Sequence, residues 1–162
     1  MSANLFQNLM RYKAWANDEI LKALDAIDSG KYGTLRHRAI RVLNHTHVVD
    51  CIFAAHLLGS KHEYSATNTV ETPTLDGLGG ATRERDKWYI DYVDALPQSQ
   101  YGELISFRFT DGDAGRMTRE EILAHIVNHG AYHRGQVGRL LEEASASVPR
   151  DLFTGYLGLA KR

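Results

Sequence analysis

Apolar residues spaced three and four apart recur along four long segments of this 162-residue chain. That spacing confines most of it to amphipathic helices. In the first segment Leu5, Leu9, Tyr12, Ala16, Ile20, Leu24 and Ile27 form one stripe, and Ser29 with Gly30 is expected to end the helix. The second runs from about Thr34 to Leu58, with Gly59 where a left-handed residue commonly closes a helix, and its apolar residues go nearly all the way round. The third carries Leu78, Trp88, Tyr89, Tyr92, Val93 and Leu96 and is closed by Pro97, because the residue before a proline is pushed out of the helical region. Alternation then replaces the helical period. Ile105, Phe107 and Phe109 are separated by Ser106, Arg108 and Thr110 and followed by Asp111 and Gly112, which predicts a small hairpin. Thr118 with Glu121 matches a capping box and opens a fourth helix running to about Ala144. A closing segment with Leu152, Phe153, Tyr156 and Leu157 is expected to fold back over the rest. The pattern predicts an all-α protein, a four-helix bundle with a small hairpin before the last long helix, as one domain over 1–162.

Composition narrows the function classes. Lys and Arg number 19 against 20 Asp and Glu, a net charge of -1, so there is no broad positive surface for nucleic acid or anionic membrane. No apolar run approaches the roughly 20 residues of a membrane span, and the N-terminus lacks the layout of a signal peptide. The single cysteine, Cys51, cannot form an internal disulfide. These features lead us to expect a cytoplasmic protein. No phosphate loop, paired-carboxylate signature or nucleophile elbow is present.

Chemistry concentrates in the eight histidines. His129 and His133 are four apart, a spacing that stacks two imidazoles on one helix face. They share a stripe with Ile122, Ile126, Val137 and Leu140, so both are expected to face the core. Two adjacent uncharged imidazoles in a core are hard to satisfy by hydrogen bonds alone, and a metal ion would bind one nitrogen of each. His125, one turn earlier, is open as a third ligand, a supporting group or a flanking polar residue. On the second helix His45 aligns with Val49 and Ile52, whereas His47 aligns with Ile40, Leu43, Cys51, Ala54 and Leu58. Periodicity does not choose between them. Among other residues, Cys51 reads as a small buried hydrophobe, Arg134 as a structural or interface residue, Asp50 as a solvated carboxylate, and Tyr12, Trp15 and Trp88 as core aromatics.

Tyr12 to Asn17, Leu43 to His45 followed by Val49 and Asp50, and Asn128 and His129 with His133 to Gln136 together resemble the DinB/YfiT family of metalloenzymes. The resemblance covers essentially the whole chain, including 109–117 and 149–157. It implies a four-helix bundle with one divalent metal, zinc, nickel, iron or manganese, held by three histidines, which map onto His45, His129 and His133. Cys51 to Phe53 and Tyr132 depart from the family pattern and leave the pocket lining, and hence the substrate, open. A three-histidine site keeps a coordination position free for water or substrate. From this we expect action on a small molecule, either hydrolysis or transfer involving a low-molecular-weight thiol, as relatives resembling this family do with bacillithiol or mycothiol. The alternative is a metal-stabilised binding or stress-response module without turnover. A homodimer is also expected, because the second helix is apolar nearly all round and Leu123 and Leu141 lie outside the histidine stripe on the fourth helix.

Overall fold

The computed structural model describes residues 3–160, and the helical periods are realised as α1 (Ala3–Asp25), α2 (Ser29–Leu58), α3 (Leu75–Ala95), α4 (Arg119–Glu143) and a short α5 (Phe153–Ala160). A hairpin of β1 (Leu104–Arg108) and β2 (Ala114–Thr118) precedes α4. The local signals act as chemistry requires. Gly59 closes α2 in the left-handed conformation, and Leu96 is extended before Pro97. Thr118 and Glu121 exchange both bonds of a capping box. One boundary differs from expectation. Ser29 and Gly30 do not end a helix but begin α2, because the Asp28 carboxylate accepts from the amides of Gly30 and Lys31 and so caps the new helix.

The core fixes the helix directions. One apolar cluster joins Phe6 and Met10 of α1 to Phe53 and Leu57 of α2, Tyr89 and Val93 of α3, and Ile122 and Ile126 of α4. The other joins Ile20 and Leu24 to Ile40 and Leu43, Leu75 and Leu78, and Val137 and Leu141. The start of α1 therefore lies beside the ends of α2 and α3 and the start of α4, so α1 and α4 run one way and α2 and α3 the other. In cross-section α1 touches α3 and α4, and α2 touches the same two. Since α2 and α3 are parallel, the chain between them, residues 59–74, must return along the bundle.

Between the two clusters lies a buried polar layer that the sequence reading missed. Lys13 is wholly buried, and its ammonium donates to Asp50 Oδ2 at 2.6 Å and Asp86 Oδ1 at 2.7 Å. Asn17 bonds the second Asp86 oxygen, Arg134 donates to Asn17 Oδ1 at 2.9 Å, and Asp151 accepts from Arg134 and Tyr12. Asp50 is thus buried rather than solvated, because Lys13 offers it a partner across the bundle. Arg134 is structural, as expected. Of the expected α1 stripe, Tyr12, Ala16, Ile20, Leu24 and Ile27 are buried, while Leu5 and Leu9 are half-buried, and the buried face widens to take in Phe6, Met10, Lys13 and Asn17. Trp15, beside that stripe, and Trp88 of α3 are half-buried as well.

The hairpin and the C-terminal segment act as covers. Ile105, Phe107 and Met117 pack on the first core cluster, with Phe107 lying over Gly115 where a β-carbon would not fit. Phe109 falls outside the strand and is exposed. Phe153 and Tyr156 of α5 pack on Tyr12. Leu123 and Leu141 are wholly buried within this one chain, so these two residues offer no surface to a second copy. No helix among the described residues is long and apolar enough to cross a membrane.

Removing one member of a buried ion pair leaves an uncompensated charge, which costs about 3–5 kcal/mol. Lys13→Met is therefore expected to lower the unfolding free energy by about that much, read from urea denaturation; a loss under about 1 kcal/mol would show that the layer does not hold the helices together.

Candidate metal centre

Three imidazoles meet at the level of the polar layer. His129 and His133 stand one turn apart on α4, and His45 reaches them from α2, with ring centroids 4.4 Å apart for the α4 pair, and 5.0 Å and 4.7 Å from His45 to His129 and His133. His129 Nε2 lies 3.1 Å from His45 Nε2 and 3.0 Å from His133 Nε2. The structure thus brings together His45, His129 and His133, whose ligand atoms all lie within 4.8 Å of one another. All three rings are half-buried at the edge of the core, whereas Ile122, Ile126, Val137 and Leu140 of the same α4 stripe are buried. The histidines do not face the core fully, and the return loop reaches His45 through Thr67.

The outer nitrogens show what the inner ones can do. His45 Nδ1 lies 2.7 Å from the carbonyl oxygen of Thr67, which can only accept, so Nδ1 carries the proton and Nε2 presents a lone pair. His133 Nδ1 lies 2.8 Å from Gln136 Oε1 and is fixed in the same way. Lone pairs from two rings therefore converge on His129 Nε2, which could donate to only one of them. His129 Nδ1 is buried without a partner. A cation among the three nitrogens resolves the conflict. Nitrogens about 2.0–2.1 Å from one ion in tetrahedral coordination stand roughly 3.3 Å apart, so the observed spacing fits a divalent ion after a small relaxation.

Charge is disfavoured here by design of the surroundings. Burial, followed by the neighbouring His133, His45 and His125 and by Lys13, holds His129 down to about 3. Burial likewise lowers His45, against the Thr67 hydrogen bond. Neutral imidazole is the form that ligates a metal.

The other histidines go elsewhere. His125 packs against Phe53 at 4.9 Å and beside His129 at 5.3 Å, outside the converging trio. His47 turns to the other side of α2, where its Nε2 lies 3.6 Å from Cys51 Sγ and Cys51 is half-buried. His56 stacks on Phe107. Tyr132 is exposed, with its ring edge-on to His133. Thr67 was missed from sequence because its contribution is a backbone carbonyl in a loop, and no side-chain pattern marks that. Gln136 carried a weak signal, since it sits three residues after His133 on the same helix.

An antiparallel and parallel mixture of four helices, enclosing three histidines from two of them at mid-height, defines a helical bundle with a candidate metal centre. The DinB family model matches residues 1–160, and the chain belongs to the DinB family. It is similar to Protein DinB of Bacillus subtilis (strain 168), with 27% identity over an alignment of 172 positions that covers 94% of each chain.

The unfolded chain protonates histidine near pH 6.5, while the folded chain holds His129 neutral to about pH 3. As pH falls the unfolded state takes up the proton first, so this contribution to stability is present above about pH 6.5 and is lost progressively toward pH 3. In chelator, urea midpoints should fall between pH 7 and 4.5, and the fall should be shallower in His129→Gln. Equal slopes in the two proteins would contradict the environment described for His129.

Proposed function

We propose that this chain is a metal-dependent enzyme that holds one divalent ion through His45, His129 and His133 and acts on a small molecule, by transfer involving a low-molecular-weight thiol or by hydrolysis. The observation that carries this reading is the convergence of three imidazole nitrogens, two of them oriented from behind by Thr67 and Gln136. Three neutral ligands would leave the ion its full charge, enough to acidify bound water or to hold a thiol as thiolate. The chain's own residues set the conditions for that chemistry. Thr67 and Gln136 hold the ring planes and tautomers. His125, packed on Phe53, stands beside His129, and exposed Tyr132 stands beside His133. Imidazole accepts zinc, nickel, iron and manganese, so supply decides among them. A cytoplasmic location suits the reading, because low-molecular-weight thiols are kept reduced there.

A non-catalytic, metal-stabilised binding module is the second reading, and one observation favours it. Among the described residues no carboxylate hydrogen-bonds to any of the three histidines, so none is held against the ligands as an acid or base.

Each of His45→Ala, His129→Ala and His133→Ala is expected to lose stoichiometric metal in elemental analysis, while His47→Ala retains it. Full occupancy in His45→Ala would remove α2 from the site. Gln136→Ala should keep the stoichiometry but weaken affinity about 10- to 100-fold, the usual effect of removing a group that orients a ligand. For function, metal-loaded protein should turn over a small electrophile in a screen run with and without low-molecular-weight thiols, and His133→Ala should not. Dependence on thiol identifies transfer, and turnover in water alone identifies hydrolysis. If no metal supports turnover and metal removal only lowers the melting temperature, the protein is the binding module.

A further inference from the structure

Thr67 offers His45 a main-chain carbonyl, so the tautomer of that imidazole depends on where the return loop is held. The loop has little of its own to hold it. Residues 65–71 contain no helix or strand, and their two apolar side chains, Ala66 and Val70, are exposed, Val70 to 95%. No apolar burial therefore fixes this stretch, and segments of that kind open at low free-energy cost. What attaches it is a polar clasp on α2. Asn44, only 3% exposed, donates to Asn68 Oδ1 at 2.5 Å and to Thr69 Oγ1 at 2.6 Å, which takes up both N–H groups of its amide. Arg41, one turn earlier, donates to the Thr69 carbonyl at 2.6 Å, and its own carbonyl accepts from Asn68 Nδ2 at 3.0 Å. The backbone fixes which way the amides face. Asn68 Oδ1 also accepts from the Thr69 N–H at 3.0 Å, so an oxygen points at Asn44, which must answer with its donors.

We propose that Asn44 is a positioning residue for the metal centre: by pinning Asn68 and Thr69 it places the Thr67 carbonyl behind His45 Nδ1 and keeps the Nε2 lone pair aimed at the ion. The proposal rests on the reading of His45 as a metal ligand. Asn44 hydrogen-bonds to the loop and to none of the three histidines, so its action passes through Thr67. With the loop released, the proton is no longer tied to Nδ1 and can occupy Nε2, the nitrogen that must be bare to ligate. The coupling runs both ways. An ion on Nε2 holds the proton on Nδ1 and so strengthens the bond that keeps the loop in place.

The test follows the His45 ring nitrogens by heteronuclear NMR in the metal-free full chain and measures zinc affinity by competition with a chelator. In the wild type Nδ1 should carry the proton. Asn44→Asp keeps the shape but sets an acceptor against Asn68 Oδ1, and it should shift the proton toward Nε2 and weaken zinc about 10- to 100-fold. Asn68→Ala removes the partner on the loop side, leaves the bundle helices unaltered, and should act in the same direction, so it decides the matter even where Asn44→Asp fails to fold. Val70→Ala, at the most exposed position of the same loop, should change neither readout. A proton that stays on Nδ1, or an unchanged zinc affinity, in folded Asn68→Ala would overturn the proposal. A wild-type chain that binds no zinc would refute the metal reading instead; the nitrogen signals of metal-free Asn68→Ala then support the clasp if the proton leaves Nδ1 and overturn it if the proton stays.

Discussion

A lysine with no solvent exposure stands at the centre of this bundle, and the arrangement of the four helices follows from what it must reach. An unpaired ammonium in a protein interior is prohibitively unfavourable, so Lys13 of α1 requires carboxylates at hydrogen-bond distance. Asp50 comes from α2 and Asp86 from α3, while Asn17 carries the network to Arg134 of α4. One layer thus ties all four long helices at a single height. The layer holds three carboxylates, Asp50, Asp86 and Asp151, against the two cations Lys13 and Arg134. Burial, opposed by Lys13 and reinforced by Asp86, raises Asp50 to about 6, so protonation near that pH relieves the imbalance.

The histidine cluster depends on this layer. His45 lies five residues before Asp50 on α2, and His129 and His133 flank Gly130 and adjoin Arg134 on α4, so the contacts that lock α2 and α4 to α1 also fix the facing of the imidazoles. The absent side chain at Gly130 lets Lys13 and Arg134 pass α4 at close range. Helix direction supplies the remaining element. Because α2 and α3 are parallel, the loop between them returns along the bundle, and on its way Thr67 meets His45. Asn44 and Arg41 hold that loop in place through Asn68 and Thr69. The orientation of His45 and the chain crossover are therefore one feature.

Much of this was legible in the sequence, and what was not has a physical reason. Helix ends were readable because Gly59, Pro97 and the Thr118 box act locally, on backbone groups within a turn or two. The α4 histidines were readable because both lie on one helix. Choosing His45 over His47 was not possible from periodicity, since α2 buries residues around most of its circumference: Asp50 and Val49 pack inward on different sides. The family resemblance supplied that choice. Half of the buried face of α1 was missed because an apolar count rejects Lys13 and Asn17, yet their spacing with Phe6, Met10 and Ile20 is that of a core face. Partners such as Asp86 lie far along the chain, and only the fold brings them to Lys13.

On the proposed reading, a layer of buried charges holds three imidazoles ready for one divalent ion. X-ray absorption on the zinc-loaded full chain tests it most directly, because scattering identifies both the number and the element of the ligands. Three imidazole nitrogens at about 2.0–2.1 Å are expected, with no sulfur among the ligands. A sulfur contribution near 2.3 Å, which only Cys51 or a methionine could supply within the chain, or a shell with fewer than three imidazoles, would contradict it.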